Sequence, residues 1–223
     1  MTEPKTPPPE YHATSAAINA AGAVCFSIAA AWLLQSLEIS APAGHANYAA
    51  IYAAATISFW SLQSAYHVFL HAGRQSLRFR NLDRGSTFVL IAGIFTPLIA
   101  ARQAIPGAFI VPLLALWVAA AGGMVLLISW KLVPRKLTPL ASLAMLSAGI
   151  AATAAFQIAS GTIPVWGIIS LVAGILLVLA GGAVYAIQKP NLAPGHFGFH
   201  ELHHSLVLAG SLVLHMLVAA LLA

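Results

Sequence analysis

Four side chains in this sequence can do chemistry together: His67, Asp83, His200 and His204. Each stands near the end of a long apolar segment, and the segments are far apart in the chain. Ionisable side chains are costly at membrane depth and normally mark a site there. Three neutral imidazoles plus one open position form a common ligand set for catalytic zinc, so zinc is the first candidate metal. Taken singly, each histidine is more simply a hydrogen-bonding group inside a helical bundle. Asp83 alone is a good helix N-cap, with Arg80 or Arg84 near enough to pair with it. The metal reading rests on their convergence.

Two ligands on one helix share a face when they lie three or four residues apart. His200 and His204 are four apart, about 40° around the axis, whereas His200 and His203 are three apart, about 60° in the other sense. Spacing alone leaves His203 and His204 both open. His67 supplies the third nitrogen. Asp83 has two roles open to it: orienting a coordinated water or a ligand imidazole, or acting as general base. Zinc lowers the pKa of a coordinated water to about 7, which suits hydrolysis at neutral pH. Ser64 and Tyr66, beside His67, can hydrogen-bond a substrate carbonyl.

The remaining histidines fit the site less well. His12 and His45 fall in polar tail or loop, His71 is a rival ligand at a loop edge, and His196 follows Pro194-Gly195 as an interfacial residue. His215 is nearly on the face of His204 but roughly 16 Å deeper, out of reach of the same metal and suited to a buried hydrogen bond. Glu201 faces away from His204 and suits a helix N-terminus.

These residues must be positioned by helices in lipid. Of 223 residues, 60% are hydrophobic and only 7% charged, too few charges to cover a water-soluble domain of this size. A helix needs roughly 20 apolar residues to cross the hydrocarbon core, and seven segments qualify. They run at roughly 14–37, 47–70, 84–101, 107–129, 137–157, 163–187 and 201–222. Breakers separate them: Pro42 and Gly44, Gly73, Pro106 and Gly107, Pro134, Gly161 and Pro164, then Pro190, Pro194 and Gly195. The expectation is one all-α domain over 13–223, a seven-transmembrane bundle, preceded by a disordered polar tail over 1–12. The first span is too long for a signal peptide and is read as retained.

With the N-terminus cytoplasmic, nine of the ten lysines and arginines fall on inside segments and only Arg102 outside. The positive-inside rule then places the C-terminus outside. This is the reverse of the G-protein-coupled receptor arrangement, and no lysine sits mid-span in the last helix to carry a retinal Schiff base. The same orientation brings the end of helix 2 and the starts of helices 3 and 7 to the cytoplasmic face. The net charge of +5 comes from short loops, so it reads as topology and not as a nucleic-acid surface. Cys25, the single cysteine, excludes an intrachain disulfide and is read as an inert core residue.

At these residues the chain resembles the hemolysin III family, within the progestin and adipoQ receptor superfamily. The matching pieces are Ser64-Ala-Tyr-His67, Leu82-Asp83, Ile91-Ala-Gly-Ile-Phe-Thr-Pro97, His200-Glu-Leu-His-His204, Val207-Leu-Ala-Gly-Ser211 and His215. The resemblance implies a seven-helix fold with a cytoplasmic N-terminus and zinc on His67, His200 and His204. It favours His204 over His203, and it implies that Asp83 acts through the coordinated water. Eukaryotic relatives are linked to ceramide hydrolysis, and distant alkaline ceramidases share the metal pattern. Relatives usually carry serine four residues before the helix 2 histidine; here that position is Gln63, and Ser64 is rotated about 100° from it.

The leading expectation is therefore a zinc-dependent, multi-pass hydrolase of the cell's inner membrane, acting on a lipid amide or ester. Its partners are the bilayer and a lipid substrate that enters between helices. The alternatives are a non-catalytic, zinc-stabilised sensor or regulator, and a cytolytic protein of the hemolysin III type. A transporter ranks last, because the mid-spans lack charged residues.

Overall fold

Seven helices form where apolar runs meet helix-compatible ends. In the computed structural model they are α1 (Pro9–Leu37), α2 (His45–His71), α3 (Leu77–Ala100), α4 (Ile110–Ser129), α5 (Leu137–Thr153, continued by a π-helical turn Ala154–Ile158), α6 (Val165–Ile187) and α7 (Phe199–Leu222). The structure describes residues 9–37, 44–74, 76–101, 107–130, 133, 137–159 and 161–222. No strand occurs among them beyond a single bridge between Ala193 and Phe197. Lys5, Arg102, Lys131, Arg135 and Lys136 of the charge count lie outside the described residues, as do Pro42, Pro106, Pro134 and the His12 side chain. The predicted breakers Gly44, Gly73, Gly107, Gly161 and Gly195 all hold a left-handed backbone, which L side chains rarely adopt.

Six of the seven helices are long and apolar enough to cross a membrane. The exception is α2, which corrects the expectation of seven such spans. Asn47, Gln63, Ser64 and His67 lower its hydropathy, and its Thr56, Gln63 and His67 are buried. At 27 residues it is about 40 Å long, enough to traverse the bundle, and it is sheltered by α1 and α3.

The bundle has an apolar core into which its polar side chains are also gathered, and its outer surface carries large apolar side chains. Asn19, Thr56, Gln63, His67, Asp83, Glu201, His204 and His215 are buried, while Ile28, Trp32, Val111, Val118, Val172 and Met216 are exposed. That arrangement suits lipid as the solvent. Cys25 is exposed, which corrects its reading as a core residue. At the centre α3 packs on α2, α4, α5 and α7, and residues 90–101 are continuously buried. Neighbouring helices satisfy each other's end carbonyls. Asn81 Nδ2 donates to Leu127 O at 2.9 Å and Trp130 O at 3.2 Å, closing the end of α4. Gln157, in the π-helical turn, donates to Ile99 O and Ala101 O at the end of α3.

Two predicted positions shift. α3 begins at Leu77, seven residues before the expected 84, with Ser76 Oγ accepting from Phe79 N as its N-cap. Asp83 is therefore about two turns inside the helix and buried, not at its N-terminus. His45 is not a loop residue: it opens α2, is buried, and its Nδ1 donates to Leu222 O at 2.9 Å.

Helices α6 and α7 approach through glycines. A Cβ on Gly210 would stand 2.7 Å from Gly174 O, and one on Gly181 would stand 3.1 Å from His203 O. Such close backbone contact is the usual way helices associate in lipid. Gly210→Val should therefore destabilise the bundle by about 1–3 kcal/mol through overpacking against backbone that cannot yield. Unfolding in detergent reads this directly, and an unchanged midpoint would show that α7 has slack.

Candidate metal centre

The end of α2 and the start of α7 meet at one end of the bundle. There His67, His200 and His204 each present a ring nitrogen, and the three nitrogens lie within 4.8 Å of one another. Their rings stand nearly perpendicular in pairs, with centroids 4.6 to 5.1 Å apart. His67 Nε2 and His204 Nε2 are 3.2 Å apart. Two nitrogens on one tetrahedral zinc, each at about 2.0–2.1 Å, would be separated by about 3.3 Å. The His67–His204 pair already has that spacing. Closing the third nitrogen from at most 4.8 Å to the same value needs a shift of about 1.5 Å or less, within the reach of a side-chain adjustment. The residues thus fit a metal ion.

The exposures rank the three. His67 and His204 are buried at 2% and 4%, while 17% of the His200 side chain is open. His200 is the member at the mouth of the site. The trio contains His204 and not His203. His203 instead packs its ring on Tyr185 of α6, centroids 5.1 Å apart. His71 and His196 are exposed and outside the trio.

Asp83 enters from α3. Gln63, one turn before His67, donates from Nε2 to the Asp83 carbonyl at 3.3 Å, which sets Asp83 against the last turns of α2. That carbonyl also accepts from Ser86 Oγ at 2.5 Å. The Asp83 Oδ1 is buried and has no hydrogen-bond partner among the described residues. Buried polar atoms are almost always paired, so an orphan oxygen on the helix packed against α2 is a candidate for a role outside the fold, although Asp83 is not among the groups whose ligand atoms lie within 4.8 Å of one another. Tyr66 packs on His67 and on Phe79, with centroids 5.4 and 5.8 Å apart. The Ser64 hydroxyl is committed to α1: its Oγ donates to Ala16 O at 3.1 Å.

Three further residues lie near the trio, and spacing gives none of them a part in a metal site. Ser15 of α1 lies 3.0 Å from His200 Nδ1 and donates to Glu201 Oε1 at 2.6 Å. Glu201 is fully buried, and its Oε2 accepts from Gly198 N at 2.9 Å. That second bond is half of a capping box, the N3 carboxylate reaching back to the N-cap amide, and Gly-x-x-Glu before an apolar run is its trace in the sequence. Tyr185 lies against both His200 and His203.

The model of the haemolysin-III related family matches residues 15–216, nearly the whole chain and all of these residues. The chain belongs to that family. This haemolysin-III related chain is a multi-pass membrane protein, consistent with residence in the inner membrane.

His215, at the far end of the family match, is buried deeper along α7. Its Nδ1 hydrogen-bonds with Tyr52 Oη at 3.0 Å, and the two rings stack at 5.7 Å. Tyr52→Phe removes that bond and keeps the ring. Interhelical hydrogen bonds in membranes average about 0.6 kcal/mol, so the expected loss of stability is small, below about 1.7 kcal/mol. A larger fall in an unfolding titration would give the pair a greater role in holding α2 to α7.

Proposed function

We propose that this protein is a zinc-dependent membrane hydrolase that cleaves an amide or ester bond of a lipid at the cytoplasmic face. The observation that carries the proposal is the convergence of three imidazole nitrogens within 4.8 Å, with a buried, unpaired carboxylate oxygen on the neighbouring helix. His67, His200 and His204 would hold the ion. A zinc ion supplies Lewis acidity and brings the pKa of its water to about 7.

The chain's own residues do the rest. Asp83 Oδ1 takes the proton of the attacking water as the water oxygen bonds to the substrate carbonyl carbon. It returns that proton to the departing amine or alcohol when the carbon–nitrogen or carbon–oxygen bond breaks. His200, the most exposed member of the trio, would be the one that an incoming lipid meets first. Tyr66 stands beside His67 and can donate to the substrate carbonyl. For Ser64 we propose a positioning role, since its hydroxyl is committed to Ala16.

One observation favours a second reading, a zinc-pinned sensor or regulator without turnover. The two side chains nearest the usual serine position are both occupied by protein, Gln63 with Asp83 O and Ser64 with Ala16 O. Purified protein, given zinc or stripped with a chelator, should be offered a ceramide-like amide and a phospholipid ester. Zinc-restored turnover that vanishes in His67→Ala supports the hydrolase. Stoichiometric zinc with no turnover of either substrate supports the regulator.

A further inference from the structure

Helix α1 touches both helices of the histidine cluster at a single step of its backbone. Ala16 O accepts from Ser64 of α2, three residues from His67. The adjacent Ser15 reaches His200 and Glu201 of α7. From this geometry we infer that Ser15 and Glu201 are positioning residues that set the tautomer and aim of His200 for the metal. The inference rests on the metal centre proposed above.

The proton count makes the case. A serine hydroxyl has one proton, and here it goes to the Glu201 carboxylate at 2.6 Å. Ser15 Oγ can then only accept from His200 Nδ1, 3.0 Å away, so Nδ1 must carry the ring proton. Nε2 is left with the lone pair that a metal requires. Glu201 is itself fixed, because Oε2 accepts from Gly198 N at the start of α7. Carboxylates and hydroxyls behind ligand histidines act in this way in metal sites, fixing the ring and raising its basicity. His200 needs such help more than its companions, as it is the most exposed of the three. A carboxylate that is fully buried at a helix start, and bonded on both oxygens, does more than cap the helix.

The test is zinc affinity, measured by titrating chelator-stripped protein in detergent with Zn2+ against a chromophoric competitor. Ser15→Ala and Glu201→Gln should each weaken zinc binding roughly 10–100-fold, the range for residues behind metal ligands. Ser15→Thr, which keeps the hydroxyl, should restore most of it. The double variant should be little worse than either single one, since both act through one imidazole. A merely structural role would lower the unfolding midpoint of stripped protein and leave the affinity unchanged, and that result overturns the inference. If Ser15→Ala does not fold, Glu201→Gln carries the same test. Zinc bound by wild type with unaltered affinity in both variants defeats this inference alone. No zinc in wild type defeats the centre and this inference with it.

Discussion

His204→Ala should abolish stoichiometric zinc, while His203→Ala, one residue earlier, should leave it in place. The two side chains are neighbours on α7 but face different partners. His204 Nε2 lies 3.2 Å from His67 Nε2, whereas the His203 ring lies against Tyr185. Removing one of three imidazoles takes away a ligand the bundle cannot replace, because His203 points toward α6. Metal analysis after gel filtration reads the stoichiometry. Thermal unfolding gives a second readout. A ligand present at 1,000 times its Kd stabilises the folded state by about 4.1 kcal/mol, and the variant forfeits that gain. For a chain of this size, that is on the order of 10 °C between zinc-loaded wild type and the variant. Stripped wild type and stripped variant should then unfold at similar temperatures. If His203→Ala lost the zinc and His204→Ala kept it, the cluster would have to rotate on α7 to bind, and the static trio would be the wrong ligand set.

The outline of this site was legible in the sequence because it depends on two simple regularities. Helical periodicity put His200 on a face with either His203 or His204, and an alternating series of spans brought the end of α2 to the start of α7. The nitrogen that converges with those of His67 and His200 belongs to His204 and not His203, a distinction that 3.6-residue spacing could not make. What was hidden is what depends on contacts across the chain. Ser15 meets His200 over 185 positions, and nothing near Ser15 announces a partner. The early start of α3 was masked by Arg78, Arg80, Asp83 and Arg84, whose charge erased the apolar signal although Ser76 supplies a good cap. Charge read as a boundary was in fact the polar first two turns of a helix. His45 was misplaced for a related reason: flanking Gly44 and Asn47 look like loop, yet the ring closes the end of α7 from inside the bundle. Cys25 failed in the other direction. In lipid an apolar run has two sides, and only packing tells which one is the core.

Asp83→Asn separates the two functional readings more sharply than any ligand substitution. The side chains are nearly the same size, so the change removes the charge and the basicity and little else. The bonds that tie residue 83 into the bundle run to its backbone carbonyl, from Gln63 and Ser86, and survive the exchange. Its Oδ1 has no partner among the described residues, so no protein hydrogen bond is lost there. The variant should therefore fold, unfold near the wild-type temperature and retain zinc on the three imidazoles. If Asp83 moves protons, turnover of the lipid amide or ester should fall roughly 10²–10⁴-fold, the usual contribution of a positioned acid–base group. The fall should appear mainly in kcat, because the substrate's chain and headgroup contacts are untouched. Zinc lost together with activity would instead make Asp83 part of the metal's support and would falsify its role as the base. Zinc retained with turnover unchanged would leave the proton transfer to some other group. A buried carboxylate is expensive to maintain in a membrane protein. One that can become an amide without loss of fold or metal, yet not without loss of rate, is there for the reaction.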